Sequence, residues 1–196
     1  MIIAFASGNI HKKGEIDQII PEHTILLPVE IGIDFEYEET GLTFYDNAKG
    51  KADHLFGLTG KPSLADDSGL CVAALNGEPG IMSARYGSEK QEHNLSRIER
   101  NEFLLSKMKG IADRKAFFVC CMVLVFEEHR FVVVQEILEG EITLTALGSE
   151  GFGYDPLFFL PELGKTVAQL STKEKNKISH RGQAAARIAK LIHDLD

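Results

Sequence analysis

Cysteine is scarce, with three in 196 residues. Cys120 and Cys121 are neighbours, so in a strand they would point to opposite faces, and no histidines carry paired ligand spacing. A zinc site is excluded, and the three thiols are expected in or near a core, in keeping with a reducing compartment. Long hydrophobic runs are also missing. The longest, AFFVCCMVLVF over 116–126, is far short of the roughly 20 apolar residues that a membrane helix needs. The N-terminal MIIAFASGN has no basic region ahead of its apolar stretch, so it does not read as a signal peptide, and a cytoplasmic protein is expected. An excess of positive charge is lacking too. A net charge of −8 excludes the broad basic face that nucleic acid requires, while leaving room for one small polyanion on a local lysine cluster. There is no repeat, low-complexity tract or linker.

What is present is an ordinary folding composition, 44% hydrophobic and 26% charged. The length suits one large domain or two lobes around a cleft. IIAFA (2–6) reads as a short buried strand stopped by Ser7-Gly8-Asn9, with a helix from about His11 to Ile20. DFEYEETG (34–41) alternates acidic and aromatic residues, the period of a strand with one wet face. Thr43 would cap a helix with Asp46 three positions on, burying Phe44, Ala48, Leu55 and Leu58. A charged helix is expected over Gln91–Lys109 with Leu95, Ile98, Leu105 and Met108 inward. Strands at 116–126 and 130–138 form an antiparallel hairpin, and a third follows at 140–146. A last helix runs from Ser179 to Leu195 with Ala184, Ile188, Leu191, Ile192 and Leu195 inward. The order predicts an α/β fold with a mixed sheet.

Five segments carry candidate chemistry. SGNIHKKGE (7–15) ends a strand and opens a helix, where free N–H groups suit phosphate; Lys12 and Lys13 in that first turn oppose the dipole unless an anion is near. An Asn turn with solvated lysines is the alternative. EYEETG (36–41) offers either a solvated strand face or a carboxylate for Mg²⁺. In SLADDSGL (63–70), Asp66 and Asp67 stand in an apolar strand and must face opposite ways, one toward backbone donors and one toward a cleft; an Asx turn competes. In GSEGFGYDPLFF (148–159), glycines allow close backbone approach while Phe152 and Tyr154 offer flat faces for a base, or the stretch is a plain hydrophobic loop. In STKEKNKISHRGQAAA (171–186), Lys173, Lys175, Lys177, His180 and Arg181 crowd a helix start capped by Ser179, so an anion or acidic partner is expected there.

Together SGNIHK, EETGLTFYDNAKGKA, LADDSGL, PGIMSARY, GFGYDPLFF and EKNKISHRGQA, in this order from residue 7 to 184, resemble the inosine triphosphate pyrophosphatase family. The resemblance implies a single 1–196 domain of two lobes, a mixed and elongated β-sheet flanked by helices with the site in a central cleft, and usually a homodimer. It implies a Mg²⁺-dependent hydrolase that cuts ITP, dITP or XTP to the monophosphate and pyrophosphate. By the same likeness Ser7, Gly8, Asn9, Ile10, His11 and Lys12 form the triphosphate loop, Glu38 and Asp67 hold the metal, and Asp67 is the general base with Ser68 touching substrate. Phe152, Gly153, Tyr154 and Asp155 match the base-recognition loop, and Lys175, His180 and Arg181 complete the nucleotide site. His180, Arg181 or nearby backbone N–H groups would donate to O6 of the base. The likeness implies no nucleic-acid or membrane partner. Two departures are Met82, where many relatives have an aromatic residue, and Tyr154, where some carry Trp. A pyrophosphatase for other nucleotides and a non-catalytic nucleotide sensor are the competing readings; a nucleotide panel separates the first, and intact Lys12, Glu38 and Asp67 weigh against the second.

Overall fold

The computed structural model describes residues 1–88 and 95–193. Its elements in chain order are β1 (Ile2–Phe5), α1 (Ile10–Ile19), β2 (Thr24–Leu26), α2 (Phe44–Thr59), β3 (Ser63–Val72), α3 (Arg97–Lys107), β4 (Lys115–Glu127), β5 (Arg130–Ile142), β6 (Phe158–Leu160), β7 (Lys165–Thr166), α4 (Thr172–Ile178) and α5 (His180–His193). The expected mixed α/β fold is found: seven strands in the order β2-β1-β3-β4-β5-β6-β7, with five helices among the described residues. β1 lies parallel to β2 and β3, with Ala4 beside Leu26 and Ser63, whereas β6 runs antiparallel to β5 and β7. The chain divides into two compact units. The first holds 1–68, 120–136 and 178–196; the second holds 69–119 and 137–177.

Period-two alternation builds the first unit. Ile3, Phe5, Leu64, Cys120, Met122 and Leu124 point to one side, where Ile16 of α1 and Ala184, Ile188 and Ile192 of α5 cover them. Ala4, Ala6, Ala65, Cys121, Val123 and Val125 point to the other, against Ala48, Ala52 and Leu55 of α2. The small residues facing one another let α2 approach the sheet closely. α2 opens on the capping box foreseen from sequence: Thr43 Oγ1 accepts the Asp46 N–H at 3.1 Å, and Asp46 Oδ2 accepts the Thr43 N–H at 3.1 Å. Leu58, expected inward, is 49% exposed, and the buried face of α2 instead carries Asn47 and Lys51.

In the second unit Phe118 packs on Phe158 at 4.4 Å, and Tyr86 meets Phe103 of α3 edge-on at 5.1 Å. Gly140 is required there, since a Cβ would fall 2.5 Å from both the Phe158 ring and the Phe159 carbonyl.

Several boundaries differ from expectation. The 140–146 strand is not separate: β5 runs unbroken to Ile142, after a turn at Glu128-His129. Residues 34–41 pair with no strand, although their burial does alternate. Their aromatic rings pack on α2 instead, with Phe35 and Tyr37 at 5.6 and 5.9 Å from His54 and Tyr37 seated over Gly50. α3 starts at Arg97 behind a Ser96–Glu99 capping box, and Ile98, expected inward, is exposed, with Asn101 and Leu104 buried in its place. The first turn expected for that helix, 91–94, and the final Leu195 lie outside the described residues. Leu191, expected inward, is exposed, while Ala184, Ile188 and Ile192 are wholly buried. All three cysteines are free and buried, as their sequence context implied.

The alanine seam between α2 and the sheet has no room for larger side chains. Ala52→Leu is expected to cost about 1–3 kcal/mol through overpacking, read as a lower urea midpoint.

Candidate functional site

β3 is buried along nearly its whole length, so its charged residues need partners inside the fold. Alternation puts Asp66 on the Leu64 side, toward α1 and α5, and Asp67 on the Ala65 side, toward α2. Asp66 is 1% exposed and collects cations. Lys12 Nζ lies 3.0 and 2.9 Å from its two carboxylate oxygens, and Arg181 donates to Oδ2 from both Nε and Nη2 at 3.2 Å. Ser68 Oγ donates to the same oxygen at 3.2 Å, and Lys51 Nζ donates to the Asp66 carbonyl at 2.8 Å. Burial would raise this carboxyl's pKa, but Lys12, Arg181 and Lys51 outweigh it and hold the group well below the usual carboxylate range.

Asp67 lies in a different field. Its Oδ2 accepts Asn47 Nδ2 at 2.9 Å, and its Oδ1 accepts the Ser68 N–H at 2.9 Å. Burial pushes its pKa up and the Glu39 charge adds to this; Lys51, Asn47 and Lys12 offset only part. The adjacent aspartates are thus driven in opposite directions, one an obligate anion and the other a proton acceptor of raised basicity.

Of the other expected residues of the first unit, Ile10, His11 and Lys12 open α1, Ser68 follows Asp67 on β3, and His180 and Arg181 begin α5. Asn9 caps α1 by accepting the His11 and Lys12 N–H groups at 2.9 and 3.3 Å, while its own N–H donates to Ser7 Oγ at 3.0 Å. Those amides, foreseen as phosphate donors, are therefore already bonded within the loop. Gly8, Ile10 and His11 are exposed. Arg181 is 2% exposed and spreads its guanidinium over Asp66, Glu15 (2.8 Å) and Ser68 Oγ (2.7 Å). The acidic partner expected near this helix start is thus internal. His180 is buried at the first residue of α5, and Ser179 Oγ accepts the Gly182 N–H at 3.0 Å as the expected cap. Glu38 is exposed, whereas its neighbour Glu39 reaches Lys51 Nζ at 2.5 Å.

In the second unit, Asp155 and Lys175 form a buried ion pair at 2.8 Å, and Asp155 Oδ2 also accepts the Phe152 N–H at 2.8 Å. Lys175 Nζ stands 4.4 Å above the half-buried Phe152 ring. Gly151 has φ +71° and passes so near Asp155 that a Cβ would lie 2.1 Å from Oδ2. Gly153 turns at φ +60°. Tyr154, foreseen as a stacking face, is 4% exposed, and its hydroxyl donates to the Ser83 carbonyl at 3.0 Å. It anchors the loop from beneath, leaving Phe152 as the accessible ring. Met82, the departure noted from sequence, touches Arg85 through its sulfur at 3.2 Å.

Sequence reasoning missed Glu15, Glu39, Asn47 and Lys51. Asn47 and Lys51 lie four residues apart on the inner face of α2, together with Leu55. A polar pair on the buried stripe of an otherwise well-capped helix was the signal available. Among the described residues no three His, Cys, Asp or Glu side chains cluster as a metal cage. Two acidic oxygen donors from 38–39 and 67 suit Mg²⁺, which is commonly held by one or two carboxylates beside substrate phosphates and water.

Two adjacent carboxylates with opposed protonation preferences, beside Lys12 and Lys51, suit chemistry on a phosphate group. Residues 3–191 match the Ham1 family, and the chain belongs to it. It is 53% identical over 192 residues to the dITP/XTP pyrophosphatase of Treponema denticola, covering 98% of each chain. It is 42% identical to that of Nitrosomonas europaea, covering 98% of this chain and 94% of the relative. Among solved structures, the Ham1 protein of Staphylococcus aureus matches with TM-score 0.89 at 40% identity over 100% of both chains. The HAM1 protein of Coxiella burnetii matches with TM-score 0.90 at 38% identity over 99% of both.

Removing Asp66 would leave Lys12 without its carboxylate and the buried Arg181 with Glu15 as its remaining carboxylate among the described residues. Asp66→Ala is expected to lower stability by about 3–5 kcal/mol, measured by chemical denaturation.

Proposed function

We propose that this protein is a Mg²⁺-dependent pyrophosphatase of non-standard purine nucleoside triphosphates, converting ITP, dITP or XTP to the monophosphate and pyrophosphate and so cleansing the nucleotide pool. The observation that carries this reading is Asp67: a buried carboxylate of raised basicity, flanked by Lys51 and Asn47, in a chain that matches named dITP/XTP pyrophosphatases along almost its full length.

In this reading Asp67 accepts the proton of a water whose oxygen bonds to the α-phosphorus, while the bond from that phosphorus to the α,β-bridging oxygen breaks and this oxygen leaves with pyrophosphate. Lys12, at the loop of Ser7, Gly8, Asn9, Ile10 and His11, meets the charge that develops on the leaving group. Ser68, oriented by Arg181, contacts the substrate. Glu38 and Asp67 would hold Mg²⁺, which when bound offsets part of the roughly four negative charges of a nucleoside triphosphate. Glu38 is supported by its exposure and by having no ion pair among the described residues, whereas Glu39 is engaged by Lys51.

Phe152 supplies the face for the base, with Gly153, Tyr154, Asp155 and Lys175 shaping its loop. His180 is the side chain we assign to donate toward O6, the acceptor that hypoxanthine and xanthine carry where adenine has an amino group. Arg181 serves by holding Ser68 and Asp66. The same likeness supports a cytoplasmic homodimer acting on free nucleotides, without nucleic-acid or membrane partners; no described helix is long and apolar enough to cross a membrane.

The test is pyrophosphate release from dITP, ITP, XTP, dUTP, GTP and ATP, with and without Mg²⁺. Highest kcat/KM for the first three and loss of turnover on chelation are expected, and a preference for ATP would overturn the reading. Asp67→Asn is expected to lower kcat by about 10²–10⁴-fold while nucleotide still binds; wild-type turnover in that variant would place the base elsewhere.

A further inference from the structure

The side chain of Asn47 is wholly buried, and it faces both acidic segments of the first unit at once. Its Nδ2 donates to Asp67 Oδ2 at 2.9 Å, and its Oδ1 accepts the Gly41 N–H at 2.8 Å. These partners fix the amide's orientation, since a carboxylate can only accept here and a backbone N–H can only donate. Gly41 closes the segment that carries Glu38 and Glu39, a stretch that belongs to no sheet and so has no ladder to fix its position. The approach is tight: a Cβ on Gly41 would lie 2.6 Å from Asn47 Oδ1 and 2.6 Å from Asp46 Cβ. The capping box at Thr43 begins the helix just beyond, so the Gly41 bond links the acidic segment to the first turns of α2.

From this geometry we infer that Asn47 is a positioning residue for the reaction, a single amide that sets the Asp67 carboxylate and ties the 38–41 segment to it. In this role it acts through the Asp67 carboxylate and not on the substrate. With Oδ2 held by Asn47 and Oδ1 held by the Ser68 N–H, the carboxylate plane cannot rotate, and the remaining lone pairs point in fixed directions. Such fixing matters because a base displaced by a fraction of an ångström loses much of its rate advantage. The inference rests on Asp67 being the base.

Two substitutions separate the two bonds. Asn47→Asp keeps the oxygen that accepts from Gly41 and replaces the donor to Asp67 with another acceptor. Gly41→Ala leaves Asn47 intact and pushes its amide from the opposite side. Each is compared with wild type and with Asp67→Asn for kcat, KM, melting temperature and dITP binding without added metal. Both variants are expected to lose kcat about 10²-fold with KM and metal-free dITP binding close to wild type, while the buried like charge of Asn47→Asp and the tight contact of Gly41→Ala lower the melting temperature. If both keep kcat within about threefold of wild type while Asp67→Asn is inactive, the positioning role is overturned and the base assignment stands. If kcat, binding and melting temperature all fall together, Asn47 is a structural residue only, and the inference also fails. Full activity in Asp67→Asn would remove the base assignment itself, and this inference with it.

Discussion

The first unit depends on how one buried carboxylate is neutralised. Asp66 sits in the middle of a strand that is covered on both faces, where an unpaired charge could not persist. Its cations come from distant parts of the chain: Lys12 from α1, Lys51 from α2 and Arg181 from α5. Because Arg181 also binds Glu15 of α1, the charge network joins the two helices on that side of the sheet to the strand beneath them. Cys120 lies 3.9 Å from the same carboxylate, and burial together with the Asp66 charge pushes its thiol pKa far up, so it behaves as an apolar filler. Ile3, Phe5, Met122 and Ile188 form the apolar cluster on the same face of the sheet.

Asp67 differs from its neighbour because of α2. That helix presents alanines to the sheet over part of its inner face and an amide and an ammonium over the rest. The alanines bring the helix close enough for Asn47 and Lys51 to reach the strand. Packing and electrostatics are therefore set by the same short distance. Lys51 lies between the Glu39 carboxylate and the Asp66 carbonyl, and its field restrains Asp67 without neutralising it. In the second unit the Asp155–Lys175 pair performs a comparable task, bracing a glycine-rich loop whose Phe152 ring stays accessible.

Much of this was legible in the sequence. The mixed fold, the α2 capping box, the buried thiols and the opposed aspartates all follow from local patterns that the structure keeps. Opposite faces for Asp66 and Asp67 need only the pleat of a strand. The acidic partner at the start of α5 was foreseen in kind but not by name, because Asp66 and Glu15 are 115 and 166 residues away in sequence. Tyr154 was misread for a similar reason: an aromatic residue in a glycine loop looks available until the Ser83 carbonyl is seen to hold its hydroxyl. The 34–41 segment has a strand's period without a strand's partners, since docking on a helix can also bury every second residue. Periodicity reports which side is covered, not what covers it.

Charge pairing in the interior also shapes how sequence change in this protein will be felt. Lys12 and Arg181 balance a carboxylate that the fold cannot leave bare. A replacement at either position alters the fraction of chains that reach and keep the native state, and in a cell that fraction is set by chaperones and proteases as much as by chemistry. Drift at these sites is therefore filtered first as abundance, and charge reversals there would have to arrive in compensating sets.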